Sequence, residues 1–206
     1  MVRSLGYLLL LLAAFNSTKI FAQQVAAPVD DAASKIAVQV CSNCHGAGGR
    51  STSPIFPELA GQQELYLEAQ IKAFRSKQRG DPEAHDYMWG MATLLDDPMV
   101  TGLAKYYAAQ APAPGTPGDP QMTEAGRTLY VTGDKDSGVA ACAGCHGPTA
   151  AGNAIFPRLA GQHRAYIVRQ LEVIQSQLRA SPIMHGVVKN LSEIQINAVA
   201  VYLQAQ

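Results

Sequence analysis

The sequence predicts an all-α protein in which one small fold is used twice. Three observations carry this. The only cysteines in 206 residues stand in two pairs at one spacing, Cys41-Ser42-Asn43-Cys44-His45 and Cys142-Ala143-Gly144-Cys145-His146. An octapeptide, Ile55-Phe56-Pro57-Glu58-Leu59-Ala60-Gly61-Gln62, returns one hundred positions later as Ile155-Phe156-Pro157-Arg158-Leu159-Ala160-Gly161-Gln162, and Tyr66 and Gln70 return as Tyr166 and Gln170. Between and after these marks, apolar residues recur at helical intervals, and nothing reads as a strand.

The N-terminus stands apart from the repeat. Met1-Val2-Arg3 is positively charged, Leu5 to Phe15 is an apolar run, and residues 16–19 are polar. That is the layout of a secretory signal peptide over residues 1–22, cut after Ala22. The run is too short to span a bilayer comfortably, and no later stretch is long and apolar enough to do so. Ile20, third before the cut, is larger than the small residue usual there, which leaves a retained membrane anchor as the alternative. Residues 23–110 then form the first copy, 111–121 a linker rich in proline and glycine, and 122–206 the second copy.

Within each copy the elements follow one order. Asp30 and Asp31 are expected to cap a helix running towards Cys41, and Thr123 one running through Tyr130. Gly133 to Gly138 interrupts the second copy before its cysteines. An irregular stretch with glycine and proline follows each cysteine motif and ends at the repeated Phe-Pro. Next comes a helix with Leu67, Ile71 and Phe74 on one face, matched by Ile167, Leu171, Ile174 and Leu178. Each copy closes with a helix, about 98–110 with Tyr106 and Tyr107, and about 192 to the end with Tyr202. Copies of about 90 residues have marginal cores. A large apolar filler is expected to complete them.

The cysteine motif says what that filler is. In C-x-x-C-H, two thiols about one helical turn apart can add to the two vinyl groups of one porphyrin, and the histidine then lies under the iron. A redox dithiol, a zinc held by both pairs, or two disulfides of an exported protein are the alternatives. None of them needs a histidine directly after each pair, nor a second copy of the arrangement. Cys41, Cys44, Cys142 and Cys145 are therefore expected to hold two haem c groups covalently, with His45 and His146 as iron ligands.

The other face of each iron decides between chemistries. Methionine there favours reversible electron transfer, whereas an open face permits ligand binding or catalysis. Downstream of its cysteine motif the first copy offers Met88, Met91 and Met99, the second only Met184. Setting Met88 on Met184 also puts Gly90 on Gly186, Leu95 on Leu191 and Tyr106 on Tyr202 without a gap; setting Met91 there breaks all three matches. Met88 and Met184 are the expected sulfur ligands, and Met99 is read as core or surface. His85, His163 and His185 are expected to be solvated or hydrogen-bonded at the surface. Trp89 either packs in the core or donates its N–H to a haem propionate.

Charge excludes one class of partner. Without the signal peptide the chain has 14 basic and 16 acidic residues; residues 23–111 carry 7 and 10, a net of −3, and residues 112–206 carry 7 and 6, a net of +1. Nucleic acid needs clustered positive charge, which is absent here. The asymmetry is a modest dipole that can orient partner proteins.

Two C-x-x-C-H motifs, two F-P-x-L-A-G-Q segments and two late methionines before an aromatic-bearing terminal helix resemble the dihaem cytochrome c4 family over nearly the whole mature chain. The resemblance implies an all-α pair of tandem cytochrome c-like haem domains of class I, their propionate edges facing each other across the interface. It implies one haem anchored by Cys41 and Cys44 with His45 and Met88 axial, and a second anchored by Cys142 and Cys145 with His146 and Met184 axial. Pro57 and Pro157 are similar to the family's proline whose carbonyl accepts the axial histidine's other N–H, fixing the ring. Two departures can make the haems inequivalent. The segment before Met88 is four residues longer than that before Met184, counting from Phe74 and Ile174, and only the second copy has the 133–138 interruption.

The implied function is that of a periplasmic single-electron carrier in a bacterial respiratory chain, not an enzyme. Its partners are redox proteins, a membrane oxidoreductase or a terminal oxidase or reductase, with peripheral membrane association open. A second reading is the dihaem electron-accepting subunit of a flavin-containing sulfide dehydrogenase. A third, a small haem peroxidase, requires an iron face that opens, as by loss of Met88.

Overall fold

The computed structural model describes residues 31–206, so the signal peptide, its alternative as an anchor, and Asp30 lie outside the described residues. Among the described residues the chain is helical, with three isolated antiparallel bridges and no strand. None of these helices is long and apolar enough to cross a membrane. The fold is all-α, as the sequence predicts.

In the first half, α1 (Asp31–Ile36) continues through a π-helical turn (Ala37–Cys41) into α2 (Ser42–His45). The fully buried Ala33 and nearly buried Ala37 keep this segment thin, so that it can lie against the closing helix α5 (Asp97–Ala108). Between them come α3 (Glu64–Arg75), a second π-helical turn (Ala84–Met88) and α4 (Trp89–Ala92). The second half repeats the order with α6 (Pro120–Thr132), α7 (Ala143–His146), α8 (Arg164–Gln175), α9 (Pro182–Val188) and α10 (Glu193–Gln204).

Three details differ from the sequence reading. Thr123 does not cap α6: the helix starts three residues earlier, where the Asp119 carboxylate accepts from the Met122 N–H at 2.9 Å. An aspartate directly before a proline is the stronger start, because Pro120 has no N–H to satisfy and its φ suits the first turn. Leu178 does not extend the apolar face of α8, which ends at Gln175. Gln177 takes a left-handed φ of 62°, turning the chain away and leaving Leu178 exposed. The first closing helix is displaced by one or two residues, because Asp96 caps it through the Met99 N–H at 2.8 Å.

The second half has one continuous core, in which Leu129 and Tyr130 of α6, Ile167 and Ile174 of α8, and Ile196 and Val199 of α10 meet. The first half's core is split. Leu67, Leu103 and Tyr107 form one cluster; Phe74, Ala84 and Ala92 form another, against which Met88 and Trp89 pack.

The two copies face each other through a polar seam with approximate two-fold symmetry. Gln62 accepts from the Arg158 N–H at 2.7 Å and donates to the Arg158 carbonyl at 2.9 Å. Gln162 does the same to Glu58, at 2.9 and 3.0 Å. Further along, Arg79 donates to Gln70 and Gln170, and Arg179 donates to the same two side chains and to the Tyr66 hydroxyl. Arg79 is also paired with the fully buried Asp81 at 2.8 Å. The symmetry fails at Asp81, whose counterpart is Ser181.

Candidate haem sites

The repeated octapeptide builds the floor of each site. The Leu59 and Ala60 N–H groups both donate to the Gly49 carbonyl, and those of Leu159 and Ala160 both donate to the Ala150 carbonyl. Gly61 and Gly161 take left-handed φ values of 66° and 74°, and their N–H groups tie the segment to the closing helices at the Tyr107 and Leu203 carbonyls, each at 2.9 Å. A side chain at Gly61 would meet Pro112 at 2.4 Å, so the tight turn admits only glycine. Phe56 and Phe156 stand edge-on to His45 and His146, with ring centroids 6.1 and 6.3 Å apart.

Each motif histidine is held in one orientation. His45 Nδ1 lies 3.0 Å from the Pro57 carbonyl and His146 Nδ1 lies 3.0 Å from the Pro157 carbonyl. A carbonyl can only accept, so Nδ1 carries the proton and Nε2 keeps its lone pair. Burial lowers the pKa of both rings, outweighing the opposite pull of the proline carbonyls. Both are therefore neutral near pH 7, the form that binds a metal. His146 Nε2 is buried and has no hydrogen-bond partner.

The four thiols are free. Burial raises the Cys41 thiol above its ordinary value and pushes that of Cys142 up to about 11. A redox dithiol needs the opposite shift. Nor do the pairs converge on a zinc: among the described residues, no three His, Cys, Asp or Glu side chains are placed to hold a metal ion by themselves.

One cavity of about 1040 Å³ runs through both halves. All four cysteines, His45 and His146, and Met88 and Met184 line it, among mostly apolar side chains such as Leu67, Phe74, Ile167 and Ile174. The chemistry of this donor set fits a pair of porphyrins: each half contributes two thiols, a neutral imidazole and a thioether to one largely apolar cavity. Met91 also borders the cavity but is 58% exposed, whereas Met88 packs against the cluster of Phe74, Ala84 and Ala92. Met99 packs against the first core cluster.

The remaining histidines and Trp89 take other roles. His85 is exposed and turned to Asp86 at 2.8 Å. His185 Nδ1 sits 3.2 Å from the Ile174 carbonyl. His163 is not simply a surface group: it crosses the seam to the Ser51 carbonyl at 3.0 Å. Trp89 donates its N–H to the Arg79 carbonyl at 2.8 Å, so it is not a propionate donor. The seam itself escaped the sequence reading. Its signal was present, since Gln62, Gln70 and Arg79 all recur as Gln162, Gln170 and Arg179 at the same separation of one hundred.

Comparison with known proteins agrees with the geometry. The cytochrome c family profile matches the chain twice, over residues 31–122 and 123–206. Cytochrome c4 of Thiocapsa roseopersicina is 42% identical over 80% of this chain and 86% of its own length. The thiosulfate dehydrogenase electron acceptor of Thiomonas intermedia is 38% identical over 88% of this chain and 85% of its own. The solved structure of Acidithiobacillus ferrooxidans cytochrome c4 superimposes with a TM-score of 0.77 at 36% identity, covering 81% of this chain and 98% of that one. The chain belongs to the dihaem cytochrome c4 family, with two covalently held haem c groups and electron carriage between redox proteins as its work.

Proposed function

We propose that the protein is a periplasmic one-electron carrier of a bacterial respiratory chain, delivering to a terminal oxidase or reductase. In this reading residues 23–110 and 122–206 are its two haem domains, joined by 111–121, and residues 1–22 direct export. Cys41 and Cys44 hold the first haem, with His45 and Met88 as axial ligands; Cys142 and Cys145 hold the second, with His146 and Met184. The observation that carries the reading is the pair of buried neutral imidazoles, each fixed by a proline carbonyl at 3.0 Å, opening into one cavity with the four thiols and both methionines. When bound, the haem iron supplies a ferrous–ferric couple. The protein's own part would be to supply His45 and Met88 to one iron and His146 and Met184 to the other, which would leave no position free for a substrate.

A second reading places the same carrier downstream of a sulfur-compound dehydrogenase. The name of the Thiomonas intermedia relative supports it. The two readings differ in the electron donor and share the site. Ligand assignment is tested by substitution: Met88→Ala should open one of two irons and make the reduced protein bind carbon monoxide, while Met91→Ala should leave both spectra unchanged. Carbon monoxide binding by the unmodified reduced protein would instead favour an iron with a labile face, as a peroxidase needs.

A further inference from the structure

The polar seam and the histidine supports share a peptide group. The Pro57 carbonyl and the Glu58 N–H are the two ends of one peptide unit. Its oxygen accepts from His45 Nδ1 at 3.0 Å, and its N–H donates to Gln162 Oε1, from the other half, at 2.9 Å. The reciprocal unit is Pro157–Arg158. Its oxygen accepts from His146 Nδ1 at 3.0 Å, and its N–H donates to Gln62 Oε1 at 2.7 Å. From the geometry we infer that Gln62 and Gln162 are positioning residues, each tuning the axial histidine of the opposite half through this shared peptide. The inference rests on the reading of His45 and His146 as iron ligands.

Three features make these contacts more than adhesion. First, both glutamines are buried, Gln62 at 7% exposure and Gln162 at 6%, so water does not compete for their bonds. Second, each uses both ends of its amide on one residue, since Nε2 returns to the carbonyl of Arg158 or Glu58 at 2.9 or 3.0 Å. That double contact fixes which end is oxygen. Third, each Oε1 also accepts from the next residue's own N–H, Gln63 at 2.9 Å and His163 at 3.1 Å, which anchors it from behind.

The direction of the effect follows from hydrogen-bond polarisation. A peptide whose N–H is given to an acceptor carries more negative charge on its oxygen, and bonds in a chain strengthen one another. A stronger acceptor on Nδ1–H makes Nε2 a stronger donor to a metal. A stronger donor favours the ferric state. So the amide in one half holds the iron of the other half more readily oxidised, and each half is wired to its neighbour at the ligand that sets its potential.

The test uses the full-length holoprotein. The two haems are titrated separately, by following the hyperfine-shifted NMR signals of each axial methionine against ambient potential. Gln162→Leu should lower the ferric-to-ferrous ratio of the first haem about two- to fivefold at a fixed potential and leave the second in place; Gln62→Leu should do the reverse. Exchange of the His45 Nδ1 proton should quicken in the first variant and that of His146 in the second. Gln162→Ala and Gln62→Ala supply the same loss should leucine fail to fit. Arg169→Ala removes the 2.7 Å seam ion pair with Glu83 without touching either peptide, and should not give the crossed pattern. Shifts that stay in the variant's own half, that are equal in both, that are absent, or that Arg169→Ala reproduces overturn the inference. An unmodified holoprotein lacking low-spin histidine–methionine iron overturns the ligand reading instead.

Discussion

At the residue scale, burial makes the loss of a single charge costly. Arg79 and Asp81 form a pair with side chains only 6% and 1% exposed. Removing one member leaves the other charge buried and uncompensated. Asp81→Ala should therefore destabilise the holoprotein by about 3–5 kcal/mol in denaturant unfolding. Asp81→Ser, the residue that the second copy carries, should cost no less if the charge is what matters. The cysteines and histidines proposed to hold the haems stand out in the sequence because covalent attachment dictates their spacing, and the register of the repeat is what favours Met88 over Met91 as a proposed ligand. Gln62 and Gln162 are visible in the sequence only as part of the repeat, and their role in the seam, like that of the arginines, is not, because their partners lie about one hundred positions away and only folding brings the copies together. Trp89 illustrates the same limit: its N–H finds the Arg79 carbonyl, a backbone group with no sequence signature.

At the element scale, helix ends and crossings decide where the site residues fall. α6 and α10 cross so closely that a side chain at Gly126 would meet the Ala198 carbonyl oxygen at 2.0 Å. Backbone cannot yield as a flexible side chain does, so Gly126→Ala should cost about 1–3 kcal/mol by thermal unfolding of the holoprotein. The 133–138 interruption is held by Asp134, which accepts from Ser137 Oγ at 2.7 Å and from Gln195 Nε2 at 2.7 Å. The Ser137 hydroxyl holds its carboxyl below the ordinary 3.8. A depressed carboxylate contributes stability above the ordinary value, and that contribution disappears as the pH falls through the lowered one. Hydrogen exchange in 133–138 should thus rise in strong acid, and in Asp134→Ala at every pH. The longer helices and, Leu178 apart, their faces are legible from apolar period, whereas the short α4 and α9 are not. Ends were less so, as at Asp119, where the choice between two good caps turned on the proline that follows.

At the scale of the whole molecule, duplication does the organising: two small haem domains, one continuous cavity and a seam whose hydrogen bonds are exchanged between copies. The fold class and the repeat were plain from the sequence, because periodicity and motif spacing survive without coordinates. How the copies meet was only implied by resemblance. The net charges of −3 and +1 on the two halves remain a feature for partner orientation, and rapid-mixing rates with an acidic and a basic redox partner should depend oppositely on salt. The most direct test of the account is a spectrally monitored redox titration of the intact holoprotein, with haem content measured alongside. Two thioether-bound haems per chain, two electrons taken up, and a ferric methionine–iron band of an intensity that accounts for both irons are the expected result. A single haem, or a high-spin iron in either half, would contradict it.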